Sequence, residues 1–348
     1  MIENKLHPLE SVNRSRRSQI LTLVFRDKRA ANHSIERLFD VMTPHFKQEF
    51  TVRKLVLPHQ PTSGLSILKN VWFALRRAKG ICHITGDAQY LAIFLRSKST
   101  IMTIHDCGYL MQLKGIKKKI YKWMWFCLPC RRVGNITTIS DSTRTVLARE
   151  VGNYDEKLHV VENCITLEMQ KRTRPFNASC PRILQIGTGP VKNLDTLIKS
   201  VEGLPCELHI VGKISEENLQ NLEQGKIRYV NEFAVSDERL QEIYAECDLL
   251  FFASRHEGFG LPILEGQAAQ LPVITSTCYS MPKVSGGAAL LVDPESPQEV
   301  RIAIQQICEN PHFRDELVQK GLQNIERYQA EAVARKYMDI YSKVLEIN

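Results

Sequence analysis

Residues 247–276 read CDLLFFASRHEGFGLPILEGQAAQLPVITS, and their order decides the fold. LLFFA is apolar at every position, as in a parallel strand covered on both faces, where an edge strand would alternate. RHEGFG follows as a glycine-containing turn. LPILEGQAAQ then reads as a helix with Pro262 in its first turn, where a missing N–H is harmless, and LPVITS reads as a second buried strand. Glu257 therefore stands on a strand-end loop and Glu265 about one turn into the helix. Long helical side chains lean toward the helix N-terminus, so both carboxylates can address one ligand from two sides. The helix N-terminus and the glycine amides supply donors for an anion. Taken alone, the stretch reads first as a capped helix start with one solvent-facing glutamate.

The same alternation extends both ways. Upstream of residue 170, strands are predicted at Ile20 to Phe25, Thr51 to Leu57, Ile81 to Thr85, Thr100 to His105, Asn135 to Ser140 and Leu158 to Val161. Downstream, RILQIG, CELHIVG, IRYV, DLLFFAS, LPVITS and ALLVD repeat the pattern. Between the two arrays, KRTRPFNASCPR at 171–182 is polar and proline-containing and reads as a linker. The expected class is α/β, with two doubly wound, Rossmann-like parallel-sheet domains facing each other across a cleft. The expected boundaries are 1–173, 174–330 and a C-terminal helix at 331–348 packing back on the first domain. Ligands of such sheets lie beyond the carboxyl ends of the strands.

The chain has 348 residues and 43% hydrophobic content, enough for two cores. Its formal charge of +8 is unevenly placed: residues 1–174 hold 30 Lys and Arg against 14 Asp and Glu, leaving 16 against 24 in the remainder. The basic half calls for an anionic partner or is a solvated surface. No aromatic-basic module accompanies the charge, so nucleic acid is not expected. The N-terminal residues show no signal-peptide core and no apolar run spans a bilayer, so a cytoplasmic protein, soluble or peripheral on the inner face of the membrane, is expected. Ten scattered cysteines suit a reducing compartment, and Cys127 and Cys130 lack a second pair at metal-site spacing. Residues 113–132 place Leu113, Ile116, Ile120, Trp123, Met124 and Cys127 at helical spacing, with Lys114, Lys118 and Lys122 on another face. That pattern fits an interfacial helix on an anionic membrane and fits core packing with a solvated lysine face equally well.

EGFGLPILE, ILQIGTGPVKNLDTLIKSV, LHIVG, GGAALLVDP, TIHD and TISDSTR occur in register between about residues 80 and 310. Together they resemble the family-four glycosyltransferases, retaining enzymes of the GT-B fold with a Glu-x7-Glu signature. The first 80 residues match weakly. The resemblance implies a nucleotide-sugar donor held mainly by the second domain, with no cofactor and no metal, since no Asp-x-Asp motif is present. Glu265 would accept from the ribose hydroxyls and Glu257 from a hydroxyl of the transferred sugar. The amides of Phe259, Gly260 and Leu261 would reach the sugar and phosphates. Lys192, on the loop of Gly187, Thr188 and Asn193, would neutralise the diphosphate. His105 would contact the transferred sugar, with Asp106 beside it in a capping or acceptor role, and His33 would lie on the acceptor side. The acceptor implied is a glycan or a polyprenyl-diphosphate-linked glycan of bacterial surface polysaccharide assembly, with 113–132 as a membrane contact.

Two departures from the family pattern stand out. Thr188 follows Gly187 where many members have an arginine, leaving Arg26, Lys28 or Arg29 as replacement cations. The glycine loop after the first strand is absent from FRDKRAANHSIERLF. They keep a catalytically degenerate scaffold of the same fold as an alternative. A dinucleotide-dependent oxidoreductase is the weaker one, because ELHIVGK ends without an acidic residue for a ribose hydroxyl.

Overall fold

The computed structural model describes residues 19–27, 34–172 and 174–346; His33, Lys28 and Arg29 lie outside the described residues. The chain divides into two compact units. One comprises the residues up to Thr166 together with those from Ala330 onward, and the other comprises Leu167–Gln329.

The first unit is built on a six-stranded sheet of β1 (Ile20–Phe25), β2 (Thr51–Val56), β3 (Ile81–Ile84), β4 (Thr100–Ile104), β5 (Asn135–Thr138) and β6 (Leu158–Val160). All neighbours run parallel in the order β2-β1-β3-β4-β5-β6. Alternate side chains of β1 supply two cores. Leu21, Leu23 and Phe25 pack with Leu38, Phe39, Met42 and Phe46 of the helix Ser34–Phe46, while Val24 packs with Val71 and Ala74 of the helix Gly64–Arg77. Burial on both faces is why β1, β3 and β4 read as short, largely apolar runs, whereas the edge strand β2 is mostly exposed.

The last helix, Ala330–Glu346, belongs to this unit. Val333, Tyr337, Tyr341 and Val344 bury against the Ser34–Phe46 helix, with the Phe46 and Tyr341 rings 5.6 Å apart. The Tyr341 hydroxyl is 2.7 Å from Nδ1 of His83 on β3, and Nε2 of His83 is 2.7 Å from the Thr103 hydroxyl. The Thr137 hydroxyl, 2.6 Å from that of Thr103, extends the chain of bonds. A fully buried imidazole is retained here because both of its nitrogens are satisfied.

The 113–132 stretch differs from a single amphipathic helix. Gly115–Lys122 is α-helical, Trp123–Cys127 forms a π turn in which Leu128 N–H bonds back to the Trp123 carbonyl, and Leu128–Arg132 resumes the α-helix. The extra residue in the π turn rotates the register. Phe126, Pro129 and Cys130 are buried and Tyr121 and Trp125 pack against the core, whereas Ile116, Ile120 and Trp123 of the expected stripe are exposed.

The second unit carries β7 (Arg182–Ile186), β8 (Glu207–Val211), β9 (Arg228–Glu232), β10 (Leu249–Phe252), β11 (Val273–Ser276) and β12 (Leu290–Val292), parallel in the order β12-β11-β10-β7-β8-β9. The 171–182 stretch is fastened to this unit rather than free. Asp248, fully buried before β10, accepts from Arg174 Nη2 at 3.0 Å, Asn177 N at 3.2 Å and Arg182 N at 2.8 Å, and Arg172 Nη1 is 3.5 Å away. Removing one partner of such a buried charge costs about 3–5 kcal/mol, so this carboxylate holds the entry to the unit.

Burial lowers the His83 pKa to about 3, the His105 charge adding to the effect. A folded pKa below the ordinary value of 6.5 gives stability that is present above pH 6.5 and lost as pH falls toward 3. Urea titrations should therefore show first-unit stability falling by up to about 1.4 kcal/mol per pH unit on acidification from pH 6, and falling less steeply in His83→Gln. Equal slopes for the two proteins would refute this origin.

Candidate active site

In the second unit the strand order reverses between β7 and β10, which are hydrogen-bonded neighbours whose following helices come from different halves of the sheet. Loops leaving such a pair diverge and open a crevice at the carboxyl ends. The loop after β7 holds Gly187, Thr188, Lys192 and Asn193, and the loop after β10 holds Arg255, Glu257, Phe259 and Gly260.

The two loops are tied together. Lys192 Nζ lies 2.5 Å from Glu257 Oε1 and 4.8 Å from the centroid of the Phe252 ring. Arg255 N–H donates to the Val191 carbonyl at 2.8 Å, and its guanidinium meets both oxygens of Asp195 at 2.9 Å and Glu295 at 2.5 Å. These bonds from Arg255 hold the Asp195 carboxyl below the ordinary range. Asn193, buried and in the left-handed region at φ 64°, donates through Nδ2 to the carbonyls of Ala253 and Pro294. Gln185 reaches up from β7 and donates to the carbonyls of Gly187 and Lys192. A partly exposed pair such as Lys192–Glu257 adds about 1 kcal/mol or less to stability. The surrounding bonds, rather than the pair itself, fix its place.

Glu265 is buried in the helix Leu261–Ala268, and the Tyr244 hydroxyl donates to its Oε2 at 2.8 Å. Burial first, and the neighbouring carboxylate second, keep that phenol protonated by raising its pKa well above the ordinary value. Gly260 caps the helix at φ 106°, a conformation suited to glycine. The Ser280 hydroxyl, 2.7 Å from the Phe259 carbonyl and 3.3 Å from that of Glu257, holds the turn from behind. Thr188 is turned away from Lys192, its hydroxyl donating to the Lys213 carbonyl at 2.6 Å. Among the described residues no group of three or more His, Cys, Asp or Glu is placed to hold a metal ion.

His105 and Asp106 belong to the first unit, after β4. His105 Nε2 is 2.7 Å from the Thr85 carbonyl, so it carries the proton and leaves Nδ1 as an acceptor. Burial lowers its pKa, and the imidazole is neutral at neutral pH. Asp106 Oδ1 accepts from Gly108 N at 2.7 Å, a turn contact. Arg26 is buried within the same unit between Glu36, at 3.2 Å, and Asp87, at 2.5 Å. Next to Asp87 lies a cavity of about 580 Å³ lined by Gln60, Thr62, Tyr109, Tyr121 and Trp125, the last two rings stacked 5.0 Å apart. Sequence reading passed over Tyr244, Ser280, Asp87 and this aromatic cavity. Only Asp87 had a signal, standing just past β3 at a strand end.

Residues 180–310 match the model of the family Glycosyl transferases group 1. The matched stretch lies wholly within the second unit. O-antigen chain mannosyltransferase B of Escherichia coli is 29% identical over 232 residues, 59% of this chain and 60% of that relative, so the chain spans less than two thirds of its length. O-antigen chain mannosyltransferase RfbU of Salmonella typhimurium is 24% identical over 283 residues, 75% of this chain and 76% of the relative. The crystal structure of Anabaena HepE in complex with UDP and glucose superposes with a TM-score of 0.75 at 16% identity, covering 92% of this chain and 99% of that one. The chain has the GT-B fold, with two parallel six-stranded sheets flanked by helices.

In the second unit Gly187 has φ +83°, and a Cβ there would stand 2.9 Å from Lys192 Cγ. Gly187→Ala should lower the stability of this unit by about 1–3 kcal/mol, through left-handed strain and displacement of the lysine. An unchanged urea midpoint would contradict the close approach.

Proposed function

We propose that the chain is a retaining, metal-independent hexosyltransferase that moves a sugar from a nucleotide-diphosphate sugar to a hydroxyl of a glycan or polyprenyl-diphosphate-linked glycan in bacterial surface polysaccharide assembly. The setting is the cytoplasm or the inner face of its membrane. One observation carries the reading: the Lys192–Glu257 pair stands at the β7–β10 switch point, with Glu265 on the helix that follows. The O-antigen mannosyltransferases among its relatives and the UDP and glucose in the HepE structure support it.

The chemistry asks for charge at two places. The bond from the anomeric carbon to the diphosphate oxygen breaks, leaving an oxocarbenium-like sugar and negative charge on the departing phosphate. The acceptor hydroxyl oxygen forms the new bond on the same face, and its proton passes to the released phosphate oxygen. Lys192, exchanging Glu257 for the diphosphate, meets the developing charge, and the amides of Phe259, Gly260 and Leu261 with the helix N-terminus add to it. Glu257, freed from the lysine, accepts from a sugar hydroxyl, while Glu265 accepts from the ribose. In the first unit, the neutral His105 accepts from a sugar hydroxyl through Nδ1. The acceptor glycan is assigned to the cavity of Tyr121 and Trp125. There aromatic faces suit the C–H faces of a pyranose, and the carboxylate of Asp87 suits its hydroxyls.

Thermal shift with a panel of nucleotide diphosphates and nucleotide sugars should give a rise in Tm for one base, abolished in Glu265→Ala. Glu257→Ala and Lys192→Ala should each lower turnover by roughly 10²-fold, as for loss of one charged transition-state contact. Near-normal rates in both variants would sink the site assignment. Donor binding without turnover on any acceptor would favour the degenerate scaffold.

A further inference from the structure

The helix Gly64–Arg77 leaves its outer face uncovered. Ser63 caps it, and its inner face buries Asn70, Val71 and Ala74. On the outside, Leu65 is 63% exposed, Leu68 61%, Trp72 56% and Leu75 53%. Their spacing of three, four and three residues places them along one stripe of an α-helix. Scattered exposed leucines need no explanation, but an unbroken stripe with a tryptophan at its centre does. Arg76 lies over the Trp72 ring at 4.3 Å and holds the indole along this face.

Along the sequence the charges flanking the stripe have one sign, although Lys54 is paired with Asp40 from the neighbouring helix. Residues 50–86 contain no Asp or Glu, while Arg53, Lys54, Lys69, Arg76, Arg77 and Lys79 lie among them. The exposed Ile116, Ile120 and Trp123 sit in a second such segment, because residues 107–140 also lack Asp and Glu and include five lysines between 114 and 122. An apolar stripe carried on a segment whose own charges are all cations complements a surface that is apolar beneath and anionic above, which is the boundary of an anionic lipid leaflet. A helix of 14 residues is roughly 20 Å long and apolar on one side only, so it can lie in the boundary but not span it. No helix of the described residues is long and apolar enough to cross a membrane.

We propose that the outer face of Gly64–Arg77 docks flat on an anionic lipid bilayer. Leu65, Leu68, Trp72 and Leu75 enter the acyl boundary, and Lys69, Arg76 and Lys79 meet the headgroup phosphates. This docking does not rest on the transfer reaction and is read without a sugar donor. The test is flotation of the full chain with vesicles of phosphatidylglycerol and phosphatidylethanolamine, against vesicles of phosphatidylcholine alone. The wild-type chain should float with the anionic vesicles, less so at raised ionic strength, and should stay behind with the neutral ones. Leu68→Glu with Trp72→Glu should reduce partitioning by about tenfold or more. The same double variant should keep the wild-type Tm and nucleotide-induced shift, so that misfolding and failure of the donor site are read separately. Flotation that is equal on both vesicle types or unchanged in the double variant would overturn the proposal. So would absence of flotation with concentration-dependent self-association that the variant abolishes, since the face would then be a contact between copies.

Discussion

Everything in the second unit hangs on the pairing of β7 with β10. These strands are distant in sequence, and their hydrogen bonds set Leu250 beside Leu184 in the middle of the sheet. Each strand then sends its chain toward a different half, and the two departing loops are left side by side at the carboxyl ends. Lys192 comes from one and Glu257 from the other. The short side chains around them explain how the loops stay in place without a large core. Asn193, Gln185 and Ser280 each spend their hydrogen bonds on backbone carbonyls of these loops, and Arg255 bridges three segments. A loop held by many such bonds keeps its functional groups fixed and leaves their charges uncommitted to stability.

Both sheets could be read from the sequence because the central parallel strands, buried on two faces, appear as short apolar runs, and all twelve strands of the described residues, including the exposed edge strands β2 and β9, fall within or overlap the expected runs. The Gly-Phe-Gly turn was equally legible, since Gly260 and Pro262 signal a helix start by their backbone chemistry. Contacts made across the fold were not. Tyr244 meets Glu265, and Tyr341 meets His83, through pairings that no local spacing encodes. Of the two readings of the 113–132 segment, core packing of its stripe fails for a definite reason. An apolar stripe at helical period resembles a core face, yet the π turn at Trp123–Cys127 shifts the register and the core instead takes Phe126, Pro129 and Cys130.

The two units also differ in how they handle buried polar groups. In the first, an uncharged relay of His83, Thr103, Thr137 and Tyr341 links the sheet to the last helix. In the second, the carboxyl oxygens of Asp248 gather arginines and backbone amides. Protonating the relay adds charge to an apolar interior, so the first unit meets acid through His83.

The return of Ala330–Glu346 to the first unit bears on how the molecule is made. Residues up to Thr166 leave the ribosome early, but the surface of the Ser34–Phe46 helix and one nitrogen of His83 wait for Tyr337 and Tyr341, which are synthesised after the whole of the second unit. Domains generally fold as units during synthesis, and contacts across so long a separation close slowly. The core of the first unit is thus closed only once the chain beyond the second unit has been made.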